Sequence, residues 1–92
     1  MEWTRVEGED RGKVLLYTLS TCNWCRRTKE LLKELNVGYS HLNVDLLPED
    51  EMEAMIQDVT RWNPQGSFPT LVIDDETVIA GFREERIREV FG

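Results

Sequence analysis

Lys13 to Cys25 reads K-V-L-L-Y-T-L-S-T-C-N-W-C, and this stretch decides the fold. Its first half, Lys13–Thr18, is a near-continuous apolar run ending in a β-branched residue, suited to a strand buried on both faces. Beyond Leu19-Ser20-Thr21 the apolar spacing becomes helical. Cys25, Thr28, Leu32 and Leu35 share one stripe, Leu31 widens it, and Arg26, Arg27, Lys29, Glu30, Lys33 and Glu34 take the wet face. The spacing predicts a helix opening at Cys22 and ending in Asn36-Val37-Gly38, with Gly38 as the stop.

Working outward, Tyr39–Asp45 alternates like a second strand, parallel to the first because a helix separates them. Pro48 and the acids after it open another helix, whose buried stripe is Met52, Met55, Ile56 and Val59 with Trp62. Trp62–Pro69, W-N-P-Q-G-S-F-P, is a loop rich in breakers. Thr70–Ile73 and Thr77–Ala80 form a tight hairpin around Asp74-Asp75-Glu76. A short helix from about Glu84 buries Ile87, Val90 and Phe91. The order β-α-β-α-β-β-α predicts an α/β domain, a four-stranded mixed sheet flanked by three helices, over residues 13–92. Residues 1–12 are polar and read as a flexible lead-in or a short extra turn.

Ninety-two residues allow one domain with a modest core. Hydrophobic residues at 40% and charged ones at 32% fit a soluble globular chain. A net charge of −7 argues against nucleic acid and favours a protein partner with a basic or neutral face. No segment approaches the roughly 20 apolar residues of a membrane span. The acidic start lacks the basic-then-apolar order of a secretion signal, so the cytoplasm is the expected location; a monomer is expected as well.

Cys22 and Cys25 are the only two cysteines. A staple across two residues would contribute little, because stabilisation grows with loop length. Structural zinc wants four ligands; there is no second pair, and the single histidine, His41, sits on a predicted strand and is read as structural. Electron exchange fits better. The first turn of a helix exposes unpaired N–H groups and the positive end of the dipole, and Arg26 and Arg27 add charge. Cys22 is thus the expected nucleophile, and Cys25, facing the core stripe, the residue that resolves the mixed disulfide.

Three motifs in order make the chain resemble a glutaredoxin. Y-T-L-S-T-C-N-W-C (Tyr17–Cys25) is similar to the family's Y-T-K-x-T-C-P-Y-C; G-S-F-P-T (Gly66–Thr70) matches its proline loop; A-G-F-R (Ala80–Arg83) stands where the family carries G-G. The resemblance implies a thioredoxin-like fold, a cis bond between Phe68 and Pro69, and a Phe68 backbone that pairs with an extended substrate or with glutathione. An ordinary strand-entry proline is the alternative at Pro69. Trp24, Phe68, Pro69, Thr70, Gly81, Phe82, Arg83 and Glu84 are the implied substrate-binding residues. Trp24 is read as a half-exposed platform, with plain packing against the neighbouring loop as the alternative, and Trp3 and Trp62 as packing residues. No bound cofactor or metal is implied, since the dithiol carries the electrons. The implied partners are disulfide-containing proteins and an upstream reductase: the glutathione system, a thioredoxin reductase or a ferredoxin-linked reductase.

The departures bear on the partner. Leu19 stands where glutathione-using members have a lysine, and Gly66 falls near the position of another basic residue. Glu84 stands about where the family places an acid for the glutathione amino group, so the resemblance implies one remaining anchor. A-G-F-R resembles S-G-F-R of the NrdH-redoxins, which a flavoprotein reductase reduces. Asn23 replaces the usual proline, a loss that accompanies iron–sulfur binding in some members. Two rivals to a disulfide reductase therefore stand: a dimeric iron–sulfur or zinc module held through Cys22, and a redox-inactive adaptor docking through Trp24 and the Phe68 loop.

Overall fold

The computed structural model describes residues 3–92. Five strands and three helices follow in the order β1 (Thr4–Val6), β2 (Val14–Thr18), α1 (Asn23–Glu34), β3 (Tyr39–Asn43), α2 (Glu49–Trp62), β4 (Thr70–Ile73), β5 (Thr77–Ala80) and α3 (Glu84–Phe91), with a short 3-10 turn at Val44–Leu46 before α2. The sheet order is β1-β3-β2-β4-β5. β2 and β3 are parallel, with Leu16 opposite His41. The other three pairings are antiparallel.

β2 lies at the centre and is covered on both faces, as its apolar run requires. Val14 and Leu16 point to one side, where they meet Leu31 and Leu32 of α1, Leu71, Ile73 and Ile79 of the hairpin, and Ile87 and Phe91 of α3. Leu15 and Tyr17 point to the other, towards Val59, Met52, Met55 and Trp62 of α2. The result is a three-layer sandwich with α1 and α3 on one face and α2 on the opposite one.

Four details differ from the sequence reading. The sheet has five strands rather than four: Thr4–Val6, within the expected lead-in, pairs with β3 (Val6 opposite Tyr39) and closes an otherwise open edge. A three-residue strand carries too little alternation to be seen locally; the edge of β3 specifies it. Glu9 continues the attachment, its N–H donating to Asn36 O (2.7 Å) and its carbonyl accepting from Gly38 N (2.9 Å). Gly38 is not the stop of α1. Asn36 takes that place at φ 56°, with Val37 N donating to Leu32 O (2.9 Å) and Asn36 N to Lys33 O (3.0 Å), a Schellman closure. Gly38 and Gly8 instead let two chain segments approach, since a Cβ on Gly8 would lie 2.6 Å from Gly38 N. Ile56 is 45% exposed and lies outside the buried stripe of α2, one step round from Met55. Tyr39–Asp45 is strand only to Asn43, and Asp45 belongs to the 3-10 turn.

Trp3 packs edge-on to Tyr17, ring centroids 5.2 Å apart, and Trp62 also packs against the α2-side core. At the hairpin tip Asp74 and Asp75 both have positive φ, and Glu76 N donates to Ile73 O at 3.1 Å, the mirror-image geometry that matches strand twist.

Candidate active site

The site forms where β2 gives way to α1. Cys22 is the N-cap residue of α1, in extended conformation at φ −96° and ψ 115°. Its Sγ accepts a hydrogen bond from Cys25 N at 3.1 Å, filling the place that a serine or aspartate oxygen takes in ordinary caps. No acid sits in the first turn of α1, so the positive end of the helix dipole faces the sulfur uncompensated. Cys22 is half-buried and Cys25 only 1% exposed, both as free thiols. Burial first, and then the hydrogen bond with Cys22, push the Cys25 thiol up to about 12. One sulfur therefore meets solvent at a helix start, while the other waits beneath it as a neutral thiol.

The turn leading into Cys22 is held from the side. Asp45, in the 3-10 turn after β3, accepts from Ser20 N (2.9 Å) and Ser20 Oγ (2.6 Å). These bonds keep the Asp45 carboxyl below the usual carboxylate range, the Ser20 hydroxyl contributing most. Below them, buried Thr18 donates to Asn43 Oδ1 at 2.6 Å, with the Leu42 carbonyl 3.1 Å away. Sequence reading passed over this clamp because Asp45 and Ser20 are 25 positions apart.

The proline loop has its own organiser. Asn63, buried at the C-terminal end of α2, donates from Nδ2 to Ser67 Oγ (3.0 Å) and Thr70 Oγ1 (3.1 Å) and accepts from Gln65 N (3.2 Å). Thr70 in turn donates to Ser67 O at 2.8 Å. The Phe68–Pro69 bond is cis. Pro69 and Thr70 are buried, and the Phe68 ring packs against the α2-side core. The Phe68 backbone makes no hydrogen bond among the described residues. Asn63 escaped the sequence reading, although Asn-Pro after a helix marks a turn in which such a side chain closes the loop.

The A-G-F-R turn is drawn to the same end. Gly81, at φ 80°, donates from N to Pro69 O at 2.8 Å, tying the turn to the proline loop. Phe82 stacks on Trp24, centroids 5.8 Å apart and planes 21° from parallel. Trp24 is 55% exposed, and the Arg27 guanidinium lies 5.4 Å from its ring centroid. The structure thus gathers Cys22, Cys25, Trp24 and Phe82 into one constellation and ties Gly81 to Pro69. Arg83 folds back, Nε donating to its own turn at Ala80 O (3.0 Å), and Glu84 is engaged by Arg88 (3.0 Å). Arg88 also bridges to Glu34 of α1 at 2.6 Å.

Among the described residues no group of three or more His, Cys, Asp or Glu is placed to hold a metal ion. His41 lies on β3, and its Nδ1 is buried without a partner among those residues. No helix of the described residues is long and apolar enough to cross a membrane.

The glutaredoxin family profile matches residues 14–78, the stretch from β2 into β5. An uncharacterised glutaredoxin-like 8.6 kDa protein of the rubredoxin operon of Clostridium pasteurianum is 32% identical over 76 residues, covering 80% of this chain and 91% of its own length. Among solved structures, methanoredoxin of Methanosarcina acetivorans superposes with a TM-score of 0.88 at 50% identity, over 92% of this chain and 90% of that one. The glutaredoxin of Methanosarcina mazei Go1 superposes with a TM-score of 0.90 at 48% identity, over 100% of this chain and 89% of that one. With a thioredoxin-like fold, the paired cysteines at the start of α1 and this profile match, the chain belongs to the glutaredoxin family.

Proposed function

We propose that the protein is a dithiol–disulfide oxidoreductase that reduces disulfides of partner proteins, with Cys22 attacking and Cys25 resolving. The observation that carries this reading is the asymmetry of the two sulfurs: Cys22 reaches solvent at the helix start and accepts the Cys25 N–H, while Cys25 is buried with its thiol pushed up to about 12. In the first step the Cys22 thiolate bonds to one target sulfur, the target S–S bond breaks, and its other sulfur leaves as a thiolate that takes up a proton. In the second, Cys25 gives up its proton, bonds to Cys22 Sγ and expels the remaining target thiolate. Two electrons pass to the target, and a Cys22–Cys25 disulfide remains for an upstream reductase. Until the second step, burial keeps Cys25 protonated, so Cys22 meets the substrate first.

The remaining candidates shape the encounter. The free backbone of Phe68 pairs with an extended segment beside the scissile disulfide, and Trp24 stacked on Phe82 provides the apolar shelf. Thr70, Pro69 and Gly81 hold these surfaces in place through the bonds described above. No resident cofactor is required. The electron source leans away from glutathione: Leu19 and Gly66 are uncharged, and Glu84 is already paired with Arg88. Arg83 is the basic residue left in that turn. A flavin or ferredoxin-linked reductase in the cytoplasm fits this arrangement better.

The test is insulin reduction with each cysteine replaced. Cys22→Ser should abolish turnover, and oxidised wild-type protein should be recharged faster by a flavin thioredoxin reductase or a ferredoxin-linked reductase than by glutathione. Full insulin reduction by Cys22→Ser would refute the assignment of the nucleophile.

A further inference from the structure

The chain carries 18 acids against 11 bases, yet that balance does not hold around the reactive sulfur. Along α1, Arg26, Arg27, Lys29 and Lys33 outnumber Glu30 and Glu34; along α2, five acids face the single Arg61. The imbalance is sharpest beside Cys22. The first turn of α1 has no acid, and a recess lined by Asn23, Trp24, Arg26 and Arg27 opens on that turn, which Cys22 caps. Neither Arg26 nor Arg27 makes a salt bridge among the described residues, nor do Lys29 and Lys33 of the same helix, so all four cations of α1 are unpaired there, whereas Arg5, Arg11, Lys13, Arg61 and Arg88 are paired. Arg27 instead lies over the Trp24 ring, 5.4 Å from its centroid, a contact that leaves its N–H groups for an incoming acceptor.

We infer that this recess docks an acidic segment of the partner protein next to its disulfide, with Asp or Glu side chains meeting Arg26 and Arg27 while an apolar neighbour rests on the Trp24–Phe82 stack. Net charge alone points to a basic or neutral partner; the field at the site points the other way. Exposed charges act over about 8–10 Å at ordinary salt, so the acids of α2 on the opposite face contribute little. The acids nearer the recess are engaged, Asp45 by Ser20 and Glu34 and Glu84 by Arg88, which leaves Arg26 and Arg27 facing Glu30. The same cations oppose a partner with Lys or Arg beside its disulfide, so the recess selects against as well as for. The inference rests on the disulfide-reducing reading and names the kind of protein that reading serves.

Three synthetic peptides test it, each closed by one disulfide and flanked by three Glu, three Ala or three Lys. Each is mixed with an excess of the reduced full-length protein, so that a single turnover is followed without any upstream reductase. At low salt the Glu peptide should be reduced about tenfold faster than the Lys peptide, with Ala between them, and the ratio should fall towards one at about 0.5 M salt. In the double variant Arg26→Glu/Arg27→Glu the order should invert. Equal rates for the three peptides, a Lys peptide that is faster, or a preference that survives the double variant would each overturn the inference. Reduction of none of the three would overturn the disulfide-reducing reading itself, and is recognised by the silence of the Ala peptide.

Discussion

The chemistry of the protein turns on how differently two cysteines of one type are treated. Cys22 caps a helix and meets solvent, while Cys25 lies in the core stripe of the same helix and holds its proton. At pH 7, iodoacetamide should therefore label Cys22 alone in the folded, reduced protein, with Cys25 reacting only after denaturation; peptide mapping by mass spectrometry reads this directly. The raised Cys25 thiol also sets a stability trend. Its ordinary value in an unfolded chain is about 8.5, and in the fold it is pushed up to about 12. Between these limits the unfolded chain sheds the proton and the folded one keeps it, so stability is fully present below the lower value and is lost as pH rises through the window. Urea melts of the reduced protein should show this loss, and Cys25→Ala should show less of it. The comparison with the variant is needed because burial raises Tyr17 and Tyr39 as well. An identical pH slope in the two proteins would contradict the assignment. The identity of the two residues was legible in the sequence from their spacing at a strand-to-helix junction. Their hydrogen bond was not, because it depends on Cys22 being the cap rather than the first helical residue.

At the scale of elements, the pieces that carry the site are held by polar side chains from elsewhere. Asn63 satisfies Ser67 and Thr70 from the end of α2. Asn63→Ala leaves these groups short of partners in a buried loop and should cost about 1–3 kcal/mol in a urea melt, with disulfide reduction slowed in the same variant. Asp45 holds Ser20, and so the turn into Cys22. Because its carboxyl is held below the usual range, the clamp is intact above the ordinary carboxylate value of about 3.9 and is lost as pH falls through the lower folded value. The Ser20 amide resonance should follow that titration in NMR and show none in Asp45→Ala; a Ser20 amide indifferent to both would rule the clamp out. Most elements themselves could be read from period and breakers, β4 and β5 to the residue and α3 from its start at Glu84. What failed was decided by pairing, closure and packing that the hydrophobic period does not carry. β1 exists because the edge of β3 accepts it, Asn36 replaces Gly38 as the helix stop once Val37 bonds back to Leu32, and Ile56 is exposed because α2 meets the sheet along Met52, Met55 and Val59.

The whole molecule is a scaffold that brings three separated motifs to one end of a sheet. β2 delivers the cysteines, β4 begins at the proline loop, and the β5–α3 turn brings Phe82 onto Trp24. Order and family were legible because each motif has a local sequence signature. The clamps and the charge asymmetry were not, since they appear only when residues far apart in the chain become neighbours. We propose that this end of the molecule forms a mixed disulfide through Cys22 that Cys25 then resolves. The most direct test is intact-mass and peptide mapping of Cys25→Ser after exposure to an oxidised protein substrate. One stable adduct per chain, mapped to Cys22 and released by dithiothreitol, is the predicted result, with Cys22→Ser forming none. An adduct absent from Cys25→Ser, or one that forms equally well on Cys22→Ser, would contradict the account.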